Sequence, residues 1–279
     1  MWADELDEPA ALALVRARYP ALAGERIAPI RHGWDTYAFL VDEQWIARVP
    51  RRDEAERSLR REAELLVAIA PRLPSPVPHV ERVSEESPVV VVTRRIAGSP
   101  ATGEAKTGAE LGRFLAALHA VPVESVPLPR ASVADWRAEH DRRRGQFEEH
   151  VFQFLGAGER RKARSLFASV EFDFEPIPVH GDVAPDHVLC TDDGRIAGVI
   201  DWGDARIGDP GIDLAWALHG TTPRFAHAAE AGYGTVDAGA KARADFYHRR
   251  APWYEVLYGL ERGRPELVER ALADVRERL

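Results

Sequence analysis

The stretch VHGDVAPDHVLCTDDGRIAGVIDWGDARIGDPGIDLAWA, residues 179–217, constrains what this chain can fold into more than any other segment. Val188–Leu189–Cys190 and Ile196–Ala197–Gly198–Val199–Ile200 are short apolar runs on either side of Asp192–Asp193–Gly194–Arg195. Such runs around a turn whose glycine tolerates positive φ predict a hairpin. A loop, His180–Gly181–Asp182, precedes it, and Asp201 follows the second run directly. Carboxylates beside buried strands are costly unless they bind something. A divalent cation held between the two loops would account for both.

The ordered set of motifs resembles the catalytic segment of the aminoglycoside-phosphotransferase (antibiotic kinase) family, relatives of protein kinases. The family pattern is His-Gly-Asp, four residues, a metal-binding Asn, a hairpin, Ile-Asp-aromatic, Gly-Asp-Pro and Asp-Leu. The matches here are His180-Gly181-Asp182, His187, Ile200-Asp201-Trp202, Gly208-Asp209-Pro210 and Asp213-Leu214. A lone HGD occurs by chance in many chains; the ordered set is specific. One position departs: His187 stands where most members carry Asn. His also occurs there in the branches that phosphorylate the 2″-hydroxyl of aminoglycosides and in macrolide kinases, to which the resemblance is closest. Imidazole is a softer ligand than Mg²⁺ usually takes. The plainer alternative is that His187 only hydrogen-bonds the loop.

The resemblance implies a two-lobed α+β, protein-kinase-like fold. A small N-terminal β-sheet lobe, residues 1–95, would bind nucleotide, and a mostly helical lobe, 96–279, would carry catalysis and substrate. Asp182 would take the acceptor hydroxyl's proton, while His187 and Asp201 would hold Mg²⁺. Asp213, one turn into a helix, would anchor the catalytic loop's backbone. The turn containing Gly33 would lie over the nucleotide phosphates. Arg48 occupies the place of the family's phosphate-contacting Lys, with the charge kept and a different donor geometry. Thr93-Arg94-Arg95-Ile96-Ala97-Gly98 would form the hinge between lobes, whose backbone groups meet the base, which leaves ATP and GTP both open as donors.

Other elements follow from pattern alone. Asp7–Tyr19 reads as a helix with an Asp cap and Pro9 in its first turn. Strands are expected across Ile27–Pro50 and at Val89–Val92. Asp53–Ala70 reads as a helix with Leu59, Ala63, Leu66 and Ala70 in one stripe. Glu62 edges that stripe and needs a cation, and Arg48 is available, as in the strand–helix ion pair of kinases. Leu111, Phe114, Leu115 and Leu118 fall at i, i+3, i+4 and i+7, a buried helix face. His119 beside them reads as a core or capping histidine. Further helices are expected at Val133–Phe154 and Arg160–Phe167. Asp209-Pro210 reads as the start of another, with Asp as its cap.

Composition excludes several classes. A net charge of −8 argues against a nucleic-acid partner, which needs a basic footprint. Eleven acids against two arginines lie between Glu171 and Asp213, a bias that suits a metal–nucleotide and a cationic acceptor. No apolar run approaches the ~20 residues that span a membrane. A single cysteine, Cys190, excludes an intrachain disulfide. With an acidic N-terminus and no apolar leader, the expectation is a cytoplasmic monomer. The function expected is phosphate transfer to an aminoglycoside. A macrolide kinase, a metabolic kinase of a small amino-alcohol or sugar, and a non-catalytic nucleotide-binding module are the alternatives. Core packing is the default for the C-terminal aromatics. For Trp253, Tyr254 and Tyr258 a surface that stacks on a sugar-like substrate is the sharper reading, and Glu230 and Glu255 are candidate contacts for a cationic substrate.

Overall fold

The structure, a computed structural model, describes residues 7–20, 26–30 and 35–279. In chain order the first elements are α1 (Glu8–Arg18), β1 (Ile27–Pro29), β2 (Thr36–Val41), β3 (Trp45–Pro50) and α2 (Asp53–Ile69). Next come β4 (Val80–Val83), β5 (Val91–Arg94), β6 (Ser99–Pro100), α3 (Ala105–His119), α4 (Val133–His150) and α5 (Ala157–Ser169). The remainder is β7 (Ile177–Val179), β8 (Val188–Cys190), β9 (Ile196–Val199), β10 (Arg206–Gly208) and the helices α6 (Gly211–His219), α7 (Pro223–Tyr233), α8 (Ala238–Glu261) and α9 (Pro265–Arg278). The fold is α+β, with an N-terminal antiparallel sheet and a mostly helical C-terminal part. Among the described residues no helix is long and apolar enough to cross a membrane.

The chain divides into two compact units. The first comprises Met1–Thr102, Val121–Leu128 and Pro185–Ala205; the second comprises Gly103–Ala120, Pro129–Ala184 and Arg206–Leu279.

In the first unit five strands form an antiparallel sheet ordered β1-β2-β3-β5-β4. Successive strand residues face opposite sides, so the Val89–Val92 run serves two cores. Val90 and Val92 join Phe39, Val41, Ala47 and Val49 under Ala11 and Val15 of α1. Val89 and Val91 pack with Leu59 and Ala63 of α2. The ladder itself begins at Val91 and runs to Arg94, two residues later than the apolar run suggests. α1 is capped as expected, the Asp7 carboxylate accepting from the Ala10 N–H at 2.8 Å. α2 ends at Ile69, so Ala70 is exposed, and Leu65 and Ile69 extend its buried face instead. The predicted hairpin is present as β8 and β9, with Gly194 at φ 75° in its turn. A third, two-residue strand, β6, pairs with β8.

In the second unit α3 packs on α7, and α8 on α6 and α9, beside the short β7–β10 pair. Its core is aromatic: Phe147, Phe167 and Trp253 lie with ring centroids 5.1–5.6 Å apart. Leu111, Phe114, Leu115 and Leu118 of α3 are all buried, as their spacing predicts.

A titratable group in α8 sets an acid limit on this unit. Burial, then the charges of Arg278 and His219, lower His248 to about 4. The unfolded chain takes up that proton near its ordinary value of about 6.5. The contribution of His248 is therefore full above pH ~6.5 and lost as pH falls towards ~4, in total on the order of 1 kcal/mol once solvent screening of a half-buried group is allowed for. Urea titrations of the wild type and His248→Gln from pH 7 to 4 should show a shallower acid limb in the variant. Equal slopes would remove His248 from the acid response.

Candidate active site

The HGD loop belongs to the second unit. It leaves β7 at Val179, and Gly181 takes φ 87°, a conformation that a side chain would oppose. Asp213 holds this loop by its backbone: Oδ2 accepts from the His180 N–H and Oδ1 from the Gly181 N–H, both at 2.8 Å. The anchoring expected of Asp213 is what the structure shows. His119, at the end of α3, approaches the same Oδ2 through Nε2 at 3.1 Å. Burial opposes the Asp213 charge, but His119, His180 and the loop amides outweigh it and hold the carboxyl below its ordinary value. His119 is thus a core histidine with two partners, Asp213 and the Tyr233 hydroxyl. Asp182 is exposed, its N–H directed at His180 Nδ1 at 3.3 Å.

Asp209 lies beyond β10, fully buried. The expectation that it caps the next helix holds in part: its Oδ1 accepts from the Gly211 N–H at 2.9 Å, and Pro210 is the boundary residue. Its other oxygen accepts from Arg243 Nε at 2.8 Å and the Tyr247 hydroxyl at 2.9 Å. Desolvation nevertheless wins and raises the Asp209 carboxyl. Arg243 and Tyr247 were not foreseen, because nothing in the local pattern of α8 marks a residue that reaches a carboxylate so far back in the chain.

The candidates on the nucleotide and metal side, His187, Asp201, Arg48 and Glu62, lie in the first unit. His187 ends a short 3-10 turn (Pro185–His187), and its Nε2 lies 3.4 Å from Asp201 Oδ2. The Ile200 N–H donates to the His187 carbonyl at 2.9 Å, tying the two segments together. Asp201 adopts φ 65°. A left-handed conformation costs a non-glycine residue about 1–2 kcal/mol, and such residues cluster at functional sites. Arg48, on β3, is ion-paired with Glu62 of α2, as the stripe-edge argument predicts. Glu62 is 5% exposed, which for a carboxylate demands the partner it has. Burial works against the Arg48 charge, but Glu62 and, more weakly, Asp201 overcome it and raise the guanidinium. Arg48, Glu62, Asp201 and His187 therefore form one electrostatic neighbourhood. Among the described residues no cluster of three or more His, Cys, Asp or Glu could hold a metal by itself.

Gly33 lies outside the described residues. Thr93 sits within β5, opposite Ile46 on one side and Val80 on the other, so strands flank it on both sides. Ile96 lies beyond that ladder, and its side chain occupies the space over Gly198 of β9, where a Cβ would come within 2.5 Å of it. Glu230 is ion-paired with Lys241, and both line a cavity of about 260 Å³ with Leu218, His219, Ala226 and His227. Glu255 is paired with Arg270 of α9 at 3.4 Å. Trp253 is a correction to the sugar-stacking expectation: it is 0% exposed and packed between Phe147, Phe152 and Phe167. An indole with no surface cannot stack on a ligand.

A profile of the APH, or phosphotransferase enzyme, family matches residues 26–247. The viomycin phosphotransferase of Streptomyces vinaceus is 27% identical over 184 residues, covering 60% of this chain and 61% of that protein. The chain thus spans less than two thirds of the curated relatives it matches. Among solved structures, the GDP and kanamycin complex of an APH(2″) enzyme superposes with TM-score 0.84 at 21% identity, over 95% of this chain and 97% of that one. The macrolide 2′-phosphotransferase of Brachybacterium faecium superposes with TM-score 0.74 at 24% identity, over 96% and 97%. At such identities these structures speak for the fold.

Proposed function

The chain belongs to the APH phosphotransferase enzyme family, and from that premise we propose that it transfers the γ-phosphate of ATP or GTP to a hydroxyl of an aminoglycoside. The observation that carries the reading is the left-handed Asp201 beside His187, with the Arg48–Glu62 pair in the same electrostatic neighbourhood. That is a place for phosphates and a cation, built at the cost of backbone strain.

The donor set fits Mg²⁺ through the carboxylate of Asp201. Asp201 supplies a hard carboxylate oxygen of the kind Mg²⁺ takes, and His187 Nε2, 3.4 Å from it, would be the second donor. Bound there, the ion would neutralise charge on the transferred phosphoryl group. Arg48, oriented by Glu62, meets the nucleotide phosphates. The Ile96 backbone, outside the ladder, is better placed than Thr93 to meet the base. Asp182 accepts the proton of the attacking hydroxyl. The transition state is loose, so positioning and charge supply most of the catalysis. Residues 1–95 carry the phosphate-side contacts to the nucleotide, Ile96, His187 and Asp201 add to them from the rest of the chain, and acceptor binding is assigned within 96–279. Glu230, which lines the cavity, is paired with Lys241 and Glu255 with Arg270, so an acceptor ammonium at either would displace a cation of the protein.

The relative named for viomycin favours a second reading, in which an antibiotic of that kind is the acceptor. A phosphotransfer screen over aminoglycosides, viomycin, macrolides and small alcohols, each with ATP and GTP, decides between them. Transfer to none of the antibiotics would sink both readings.

The two metal candidates should separate. Asp201→Asn removes the charged ligand and should weaken Mg²⁺-dependent nucleotide binding about tenfold or more, in line with the ~1.5–3 kcal/mol of a charged interaction. His187→Asn substitutes the ligand commoner in the family and should leave activity within a few-fold. Titration calorimetry with Mg²⁺–nucleotide reads the first and turnover the second. A folded but inactive His187→Asn would show that the imidazole has another role.

A further inference from the structure

We propose that Tyr233 is a positioning residue for phosphotransfer: from the end of α7 it fixes His119, which through Asp213 holds the backbone of the loop carrying Asp182. The chain of contacts is continuous. The Tyr233 hydroxyl lies 2.8 Å from His119 Nδ1, His119 Nε2 lies 3.1 Å from Asp213 Oδ2, and Asp213 accepts from the His180 and Gly181 amides. All four links fall within the second unit.

The place of Tyr233 is set by backbone rather than by a flexible side chain. α3 and α7 cross where both carry glycine. A Cβ on Gly112 would come within 2.6 Å of the Tyr233 nitrogen, and one on Gly108 within 2.6 Å of the Phe225 carbonyl. Gly232 faces the Ala109 carbonyl of α3 in the same way. Two helices held this closely deliver the Tyr233 phenol to His119, seven residues along α3 from Gly112.

Hydrogen-bond logic then orders the imidazole. Burial, with the charges of Asp213 and Asp237, raises Tyr233 to about 12, so its hydroxyl keeps its proton. The Asp213 carboxylate can only accept, so His119 Nε2 carries the hydrogen and donates to it; in the neutral imidazole Nδ1 is then the acceptor and the Tyr233 hydroxyl its donor. Without the phenol, the tautomer that turns a bare Nε2 lone pair towards a carboxylate becomes accessible, and Asp213 loses a donor. A misplaced catalytic group is costly: about 1 Å of error can lower a rate 10²-fold.

The proton-accepting role of Asp182 is taken from the reading above, so the test includes a readout that needs no substrate. In Tyr233→Phe, amide exchange at His180 and Gly181 should quicken by about three- to tenfold, the equivalent of one hydrogen bond, with the amides of α6 unchanged. Side-chain ¹⁵N spectra should show His119 leaving the Nε2–H form. The kcat should fall by a similar factor, with nucleotide KM within about twofold. His119→Gln keeps an amide donor that has no tautomer to choose, so Tyr233→Phe should be silent in that background. Unchanged exchange at His180 and Gly181 would overturn the proposal. So would faster exchange throughout the unit, or an equal further loss in the His119→Gln background. A wild type that phosphorylates nothing, yet shows the expected exchange change, would count against the phosphotransfer reading alone.

Discussion

Asp182→Asn lowers kcat by at least about 10²-fold, the loss typical of a missing general base, while nucleotide affinity and thermal stability stay near wild type. The substitution is isosteric. The Asp182 side chain is exposed, and the loop is held by Asp213 through the amides of His180 and Gly181, which the change leaves in place. The nucleotide-side candidates Arg48, Glu62, His187 and Asp201 are likewise untouched. Steady-state kinetics with the best acceptor from the screen, beside nucleotide binding and a melting curve, measures all three quantities. Near-normal kcat in a folded variant would remove Asp182 from the mechanism. A melting temperature that falls with kcat would instead mean that its carboxylate supports the loop.

Arg243→Met destabilises the protein by about 3–5 kcal/mol, the range found when one partner of a buried ion pair is removed. Asp209 is fully buried, and Arg243 is its only cationic partner among the described contacts; the Tyr247 hydroxyl and the Gly211 amide do not neutralise charge. Its carboxyl is already raised with the guanidinium present. Without it the carboxyl should rise further. Such a group binds its proton more tightly in the folded state. The variant's deficit is therefore smallest below the unfolded carboxyl value of about 4 and grows as pH rises through the folded one. Adding Asp209→Asn removes the stranded charge and should recover a large part of the loss. Denaturant titrations of the two single variants and the double variant at pH 4 and 7 supply the numbers. A single-variant cost under about 1 kcal/mol at pH 7 would show that water reaches Asp209.

What the sequence determined by itself is local or periodic. The Asp7 cap, the Gly194 turn and the buried face of α3 each depend on residues a few positions apart. The Arg48–Glu62 pair was legible for the same reason: a carboxylate at the edge of an apolar stripe must find a cation, and a strand nearby in the chain offers one. The HGD, Ile-Asp and Gly-Asp-Pro motifs were legible as a set because their order resembles that of the phosphotransferase family. The tertiary structure alone decided which distant groups meet. Arg243 and Tyr247 reach Asp209, Tyr233 reaches His119, and the hairpin gains a two-residue third strand, β6, too short to leave a pattern. The sequence also left Trp253 open between a core and a surface, and the packing of α8 settled it for the core. The physical reason is the same throughout. Propensity, capping and amphipathic spacing act along the chain over a turn or two. A hydrogen bond between buried polar groups is set by where whole helices dock, and here that docking depends on glycines whose only signature is the absence of a side chain.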